Sequence, residues 1–171
     1  FILSCNYSSK IIEPIQSRCA VFRFRPLADS DVHQQVHHVA AIEEINLDDD
    51  AAEALTRISQ GDLRKALTAL QVSAALSNDV TRELIYETSA TAPPESLHQY
   101  LKACRDDGFH SARRRLRELL DKYGLAGTDF VNQLHRELYS ADFLSEESKL
   151  DLTEWMAEVD YCLLYTSDAA D

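Results

Sequence analysis

Long apolar runs are missing from this 171-residue chain, although 45% of it is hydrophobic. No stretch reaches the ~18 residues that a spanning helix needs, so no part is expected to cross a membrane. Glycine and proline are sparse, at 4 each. The length suits one medium domain or two small ones with a sizeable core. The cysteines, Cys5, Cys19, Cys104 and Cys162, include no CxxC pair. That argues against zinc and redox motifs and predicts reduced, partly buried thiols in a cytoplasmic setting. His33, His37 and His38 contain an HxxxH spacing. No glutamate follows in the zinc-protease pattern and no third ligand is apparent, so no metal centre is predicted. There is no initiating methionine, and no basic region precedes the opening "FILSC". The expectation is a piece of a longer protein, without a signal peptide. Internal repeats and low-complexity segments are absent as well.

Positive charge is in deficit but unevenly so. The formal charge is −12. Residues 1–27 carry Lys10, Arg18, Arg23 and Arg25 against Glu13 alone, a net of +3, which leaves −15 for the remainder. A net-negative surface repels phosphate backbones, so any contact with a nucleotide or nucleic acid is expected in the first stretch. The acidic remainder points to protein partners or a salt-rich cytoplasm, and 12 arginines against 5 lysines fit the latter.

The pattern along the chain is mostly helical. "FILSCNYS" reads as a buried strand whose carboxyl end exposes Asn6, Tyr7 and Ser8, where open α/β sheets place ligand contacts. A short helix or turn follows, with Pro14 in its first turn or breaking it. "AVFRFRPL" alternates apolar and basic residues like a half-buried strand, and Pro26 ends it. Helical spacing then takes over. Asp29 or Ser30 is the expected N-cap of a helix with Val32, Val36, Val39, Ala40 and Ile42 or Glu43 on one face. "NLDDDAAEALTRIS" predicts a second helix with acids in its first turn. Beyond Gly61, "DLRKALTALQVSAAL" predicts a third, with Leu63, Leu67, Leu70 and Ala74 on one face. "VTRELIYETSA" is a short helix, "TAPPES" a linker, and four or five helices follow residue 90.

Four short stretches carry candidate chemistry. In "SRC", residues 17–19, Arg18 is either a surface arginine in a helix–strand turn or a planar, permanently charged fork offered to phosphate oxygens. Asn6 is either a turn former or a carboxamide able to orient water or touch a γ-phosphate. In "GDLRKAL", Arg64 falls in the first turn of a helix, where a cation gains nothing from the dipole. It is a solvated side chain, or it reaches an anion that the same helix end attracts. "RRRLRE", residues 113–118, is a basic face available to nucleic acid, but Glu118 and Asp121 favour a salt-bridged helix.

Together these stretches resemble one family. "SCNYSSKIIEPIQSRCAVFRF" resembles the region from sensor 1 to the SRC motif in small subunits of replication factor C, the archaeal and eukaryotic AAA+ sliding-clamp loader. "GDLRKALTALQ" resembles its sensor 2 helix. "YGLAGTDFVNQLHREL" and "MAEVDY" resemble its C-terminal collar. The resemblance covers residues 1–161 in the family's order. It implies a mostly α fold: a two-strand remnant of an AAA+ α/β sheet over residues 1–27, a three-helix lid over 28–90, and a helical collar over 91–161. Asn6 is implied as the sensor 1 residue, facing γ-phosphate and water in its own subunit. Arg18 is implied as the arginine finger, entering the adjacent subunit's ATP site, and Arg64 as sensor 2, contacting the γ-phosphate in cis. The implied cofactors are ATP and Mg²⁺. The implied partners are other small and large loader subunits, the sliding clamp and primer–template DNA, in a cytoplasmic, nucleoid-associated setting without a membrane.

The departures are as informative. The family's P-loop, GxxxxGK[ST], and its acidic Mg²⁺ motif do not occur here; both are expected upstream of Phe1. Without them the polypeptide is expected neither to bind ATP tightly nor to hydrolyse it, and its first strands would lack sheet neighbours. "CLLYTSDAAD", residues 162–171, matches the translation of a transposon-type sequencing adapter. It is expected to be non-native and to pack poorly or fray, with the last collar helix cut short. The competing readings are a related AAA+ loader subunit, large or bacterial in type, and a non-enzymatic helical adaptor.

Overall fold

The computed structural model describes residues 1–167. A 3₁₀ turn, Ser8–Lys10, and a one-turn helix α1, Glu13–Gln16, precede an otherwise helical chain. The helices are α2 (Asp29–Ile42), α3 (Asp49–Ser59), α4 (Leu63–Leu76), α5 (Arg82–Thr88), α6 (Pro94–Asp106), α7 (Phe109–Tyr123), α8 (Gly127–Leu138) and α9 (Glu146–Ser167). Two-residue strands, β1 (Asn46–Leu47) and β2 (Asp79–Val80), pair in parallel with Asn46 opposite Asp79.

The mostly helical class therefore holds, but the strands lie elsewhere than expected. Neither 1–5 nor 20–25 forms a strand. Phe1, Ile2, Phe22 and Phe24 are all exposed. A strand needs a neighbour to receive its N–H and C=O groups. The described residues offer these two stretches none, so they run unpaired.

Helices form where the apolar spacing is closest to 3.6 residues. Val32, Val36 and Ala40 are buried along α2, as their spacing predicts. Its N-cap is Ala28, not Asp29 or Ser30; Asp29 and Asp31 instead occupy the first turn, where the dipole favours them. Asp48 caps α3 by accepting a bond from the Ala51 amide at 2.7 Å. On α4 the buried line is Ala66, Leu70 and Ser73, flanked by half-buried Leu63, Leu67 and Ala74. α2 packs on α3 and α4; α3 and α4 both pack on α5. α5 then meets α7, α6 packs on α7 and α8, and α8 on α9.

One core cluster runs through both sets of helices, from Val36, Leu55, Leu70 and Tyr86 to Leu97, Phe130 and Leu138. The "TAPPES" stretch is accordingly no loose linker. Ala92 is buried, and its amide donates to Gln133 Oε1 at 2.9 Å. Fraying after Tyr161 is not seen either, since α9 continues through Ser167. Leu163 is half-buried beside Gly127, whereas Cys162, Leu164 and Tyr165 are exposed. Residues 168–171 of the adapter-like string lie outside the described residues. All four cysteines are exposed, not partly buried as expected.

Candidate functional site

The basic stretch is organised by one carboxamide. Half-buried Gln16 donates from Nε2 to the Ser8 carbonyl at 2.9 Å and to the Ile11 carbonyl at 2.5 Å. This ties α1 to the 3₁₀ turn that follows Asn6. Pro14 stands at the start of α1, where its missing N–H costs nothing. The helix ends in a turn containing Ser17 and Arg18. Arg18 Nη1 donates back to the Pro14 carbonyl at 2.7 Å, a cation on a helix C-terminus. That bond uses one of its five N–H donors, and the side chain stays exposed. Asn6 sits exposed in a bend just before the 3₁₀ turn.

Arg64 is presented from a different element. After α3, Gln60 adopts φ 54° and Gly61 φ 80°, both left-handed. Asp62 then caps α4 by accepting from the Lys65 amide at 3.2 Å. Arg64 lies exposed in the first turn. The Leu27 amide donates to the Gly61 carbonyl at 3.0 Å, which joins the end of the basic stretch to the start of α4. A Cβ on Gly61 would lie 2.6 Å from Pro26 Cβ and 2.8 Å from the Leu27 carbonyl oxygen. Glycine is therefore required here both by backbone conformation and by space.

The structure thus leaves Asn6, Arg18 and Arg64 on three separate exposed pieces. Among the described residues no hydrogen bond or ion pair joins them. For the phosphate end of ATP the residues fit in part: both guanidiniums are exposed, and neither is paired with a carboxylate among the described residues. For Mg²⁺ these three side chains supply no carboxylate.

A second polar assembly, which sequence reasoning missed, lies where α3 and α5 meet α6 and α8. Arg57 Nη2 donates to Glu137 Oε1 at 2.7 Å, and Arg82 Nη2 to both Glu95 oxygens at 2.8 and 2.9 Å. Gln133 is buried; it accepts from the Ala92 amide and donates to the Ala90 carbonyl at 3.1 Å. Arg57, Gln133 and Glu137 edge a cavity of about 220 Å³, with Lys65, Tyr86 and Arg136 also on its wall. Burial, the largest single influence, would raise the Glu95 carboxyl; the Arg82 hydrogen bond, a backbone hydrogen bond and the Arg82 and Arg57 charges together outweigh it and hold it below its ordinary value. Burial pushes the Tyr86 hydroxyl up, opposed by the Arg82 guanidinium lying 5.5 Å from the ring centre. Arg57 and Glu137 are 80 residues apart, so no local pattern announces the pair.

The remaining candidates are quieter. Crowding by neighbouring protein atoms, opposed by a hydrogen bond with Tyr100, pushes the Cys104 thiol up although the residue is exposed. On α7, Arg114 pairs with Glu118 at 3.9 Å and Arg115 with Asp107 at 4.0 Å. Arg113 and Arg117 are exposed and make no ion pair among the described residues.

A family profile described as "Replication factor C C-terminal domain" matches residues 92–169. The replication factor C small subunit of Natronomonas pharaonis is 45% identical over 161 residues, which is 94% of this chain and 49% of that one. The corresponding protein of Methanocella arvoryzae is 42% identical over 163 residues, covering 95% and 50%. That of Staphylothermus marinus is 41% identical over 169 residues, covering 98% and 51%. The chain thus spans about half the length of these curated relatives. Similarity over 94–98% of the chain reaches well beyond the matched C-terminal domain, and the chain belongs to the replication factor C small-subunit family.

Proposed function

We propose that this chain is the sensor, lid and collar portion of a clamp-loader small subunit acting in DNA replication. In the assembled loader Arg18 acts in trans on the adjacent subunit's nucleotide, while Asn6 and Arg64 act in cis. ATP supplies the driving force for opening a sliding clamp and placing it on primer–template DNA. Most of the ATP and Mg²⁺ contacts come from outside this stretch. The observation that carries the reading is the separation of the two arginines. Arg18 is exposed on a turn braced by Gln16, and Arg64 is exposed on another helix, with nothing among the described residues drawing them to one anion. A residue that completes a neighbour's site has to be solvent-facing in its own subunit. Exposed apolar side chains on α9, among them Leu150, Trp155 and Val159, support a collar that meets other subunits.

No helix among the described residues is long and apolar enough to cross a membrane. The decisive experiment uses the complete subunit assembled with its loader partners. Arg18→Ala should cut clamp- and DNA-stimulated ATP hydrolysis while leaving nucleotide affinity within about twofold. Arginine fingers contribute roughly 10³–10⁵ in rate in other NTPases. Equal losses of binding and turnover would remove the trans role from Arg18.

A further inference from the structure

The HxxxH spacing on α2 gains in three dimensions the third ligand that the sequence left out. His33 and His37 lie one turn apart, with ring centroids 4.7 Å apart. Asp49, the first residue of α3, brings Oδ1 to 3.2 Å from His37 Nε2. One ligand atom from each of the three residues falls within 4.8 Å of the others. The chain between α2 and α3 makes this possible. It turns through Glu44 at φ 56° and pairs β1 with β2, which returns the start of α3 to the flank of α2. Asp48 is committed to capping α3, so Asp49 rather than Asp48 faces the histidines.

His37 Nε2 is buried and makes no properly directed hydrogen bond, although the Asp49 carboxylate is close. With its proton on Nδ1 the ring turns a lone pair toward that carboxylate, and a metal ion between them would use both as ligands. Zn–N and Zn–O lengths of about 2.0–2.2 Å with tetrahedral angles put ligand atoms about 3.3 Å apart. The His37–Asp49 separation already meets that. The third ligand needs only side-chain rotation, which exposed Asp49 and half-buried His33 permit.

We propose that His33, His37 and Asp49 form a site for a borderline divalent transition metal, Zn²⁺ in the first instance, with a fourth position open to water. Two imidazoles and a carboxylate disfavour Ca²⁺ and Mg²⁺, which prefer all-oxygen shells. The ion clasps the middle of α2 to the start of α3 and so stiffens this pair of helices. Its role is structural.

The test titrates the metal-free full chain with Zn²⁺ by calorimetry and with Co²⁺ by visible absorption. The expected result is one saturable site with a Co²⁺ spectrum of nitrogen and oxygen ligation, and a melting temperature that rises with Zn²⁺. His37→Ala and Asp49→Asn should each weaken binding by about tenfold or more. Asp49→Asn is the cleaner variant, since the residue is exposed and the change isosteric. Three results would each overturn the proposal: no saturable binding, unchanged affinity in Asp49→Asn, or thiolate charge-transfer bands that place the ion on cysteine. A His37–Asp49 ion pair without metal affinity would give the first of these.

Discussion

Replacing Gly61 by alanine probes the joint between the basic stretch and the helix that carries Arg64. The left-handed backbone at φ 80° costs an L-residue about 1–2 kcal/mol. The added methyl would also meet Pro26 Cβ at 2.6 Å and the Leu27 carbonyl oxygen at 2.8 Å, well inside contact distance. Left in place, such overpacking costs about 1–3 kcal/mol. Pro26 and Leu27 are exposed, so the cheaper escape is for this segment to lift away. That sacrifices the 3.0 Å Leu27–Gly61 hydrogen bond, a net loss of about 0.5–1.5 kcal/mol. Backbone strain plus the cheaper escape sums to roughly 2–3 kcal/mol. At 2–4 °C per kcal/mol for a chain of this size, the melting temperature should fall by about 5–10 °C. Hydrogen exchange adds a local reading: the Leu27 amide should lose protection while amides within α8 keep theirs. Gln60→Gly supplies a control of opposite sign, because Gln60 already sits at φ 54° and glycine relieves that strain. The reasoning fails if Gly61→Ala melts within about 1 °C of the parent with the Leu27 amide still protected.

Two further predictions concern the seam between the helix sets. Gln133→Leu orphans the buried Ala92 amide and the Ala90 carbonyl, and should cost about 2–3 kcal/mol in urea unfolding at unchanged m; a loss below about 0.5 kcal/mol would deny the bridge its role. Glu95→Gln should cost about 0.5–1 kcal/mol at pH 7, a modest figure because the Glu95 side chain is 60% exposed and screened. The sign with pH follows from a folded carboxyl held below its ordinary value. Its stabilisation is complete above the unfolded pKa of about 4.3 and fades as pH falls through the folded one, so parent and variant should converge in acid-titrated melting curves. A gap that stays constant to the acid limit would assign the loss to packing instead.

What was legible in the sequence follows from how far each feature depends on distant residues. The spacing of Val32, Val36 and Ala40 announces α2, and those three side chains are the ones it buries. The alternation in "AVFRFR" is equally regular, yet it reports only what a strand would present, not whether a ladder partner exists. Without one among the described residues the same segment stays extended and exposed. Asp49 and Glu137 escaped notice for a related reason. Each becomes meaningful only when chain reversal sets it beside His37 or Arg57, and no window of ten residues contains both partners. The short motifs around Asn6, Arg18 and Arg64 behave in the opposite way. Each has a local frame set by nearby residues: a turn braced by Gln16, a capped helix start after a left-handed glycine. On the proposed reading their partners lie outside the segment, so intrachain packing adds nothing to their definition. Locally framed motifs are therefore legible in a sequence without the fold, whereas the seam that holds the helices together is set by residues far apart in the chain and is the part it discloses least.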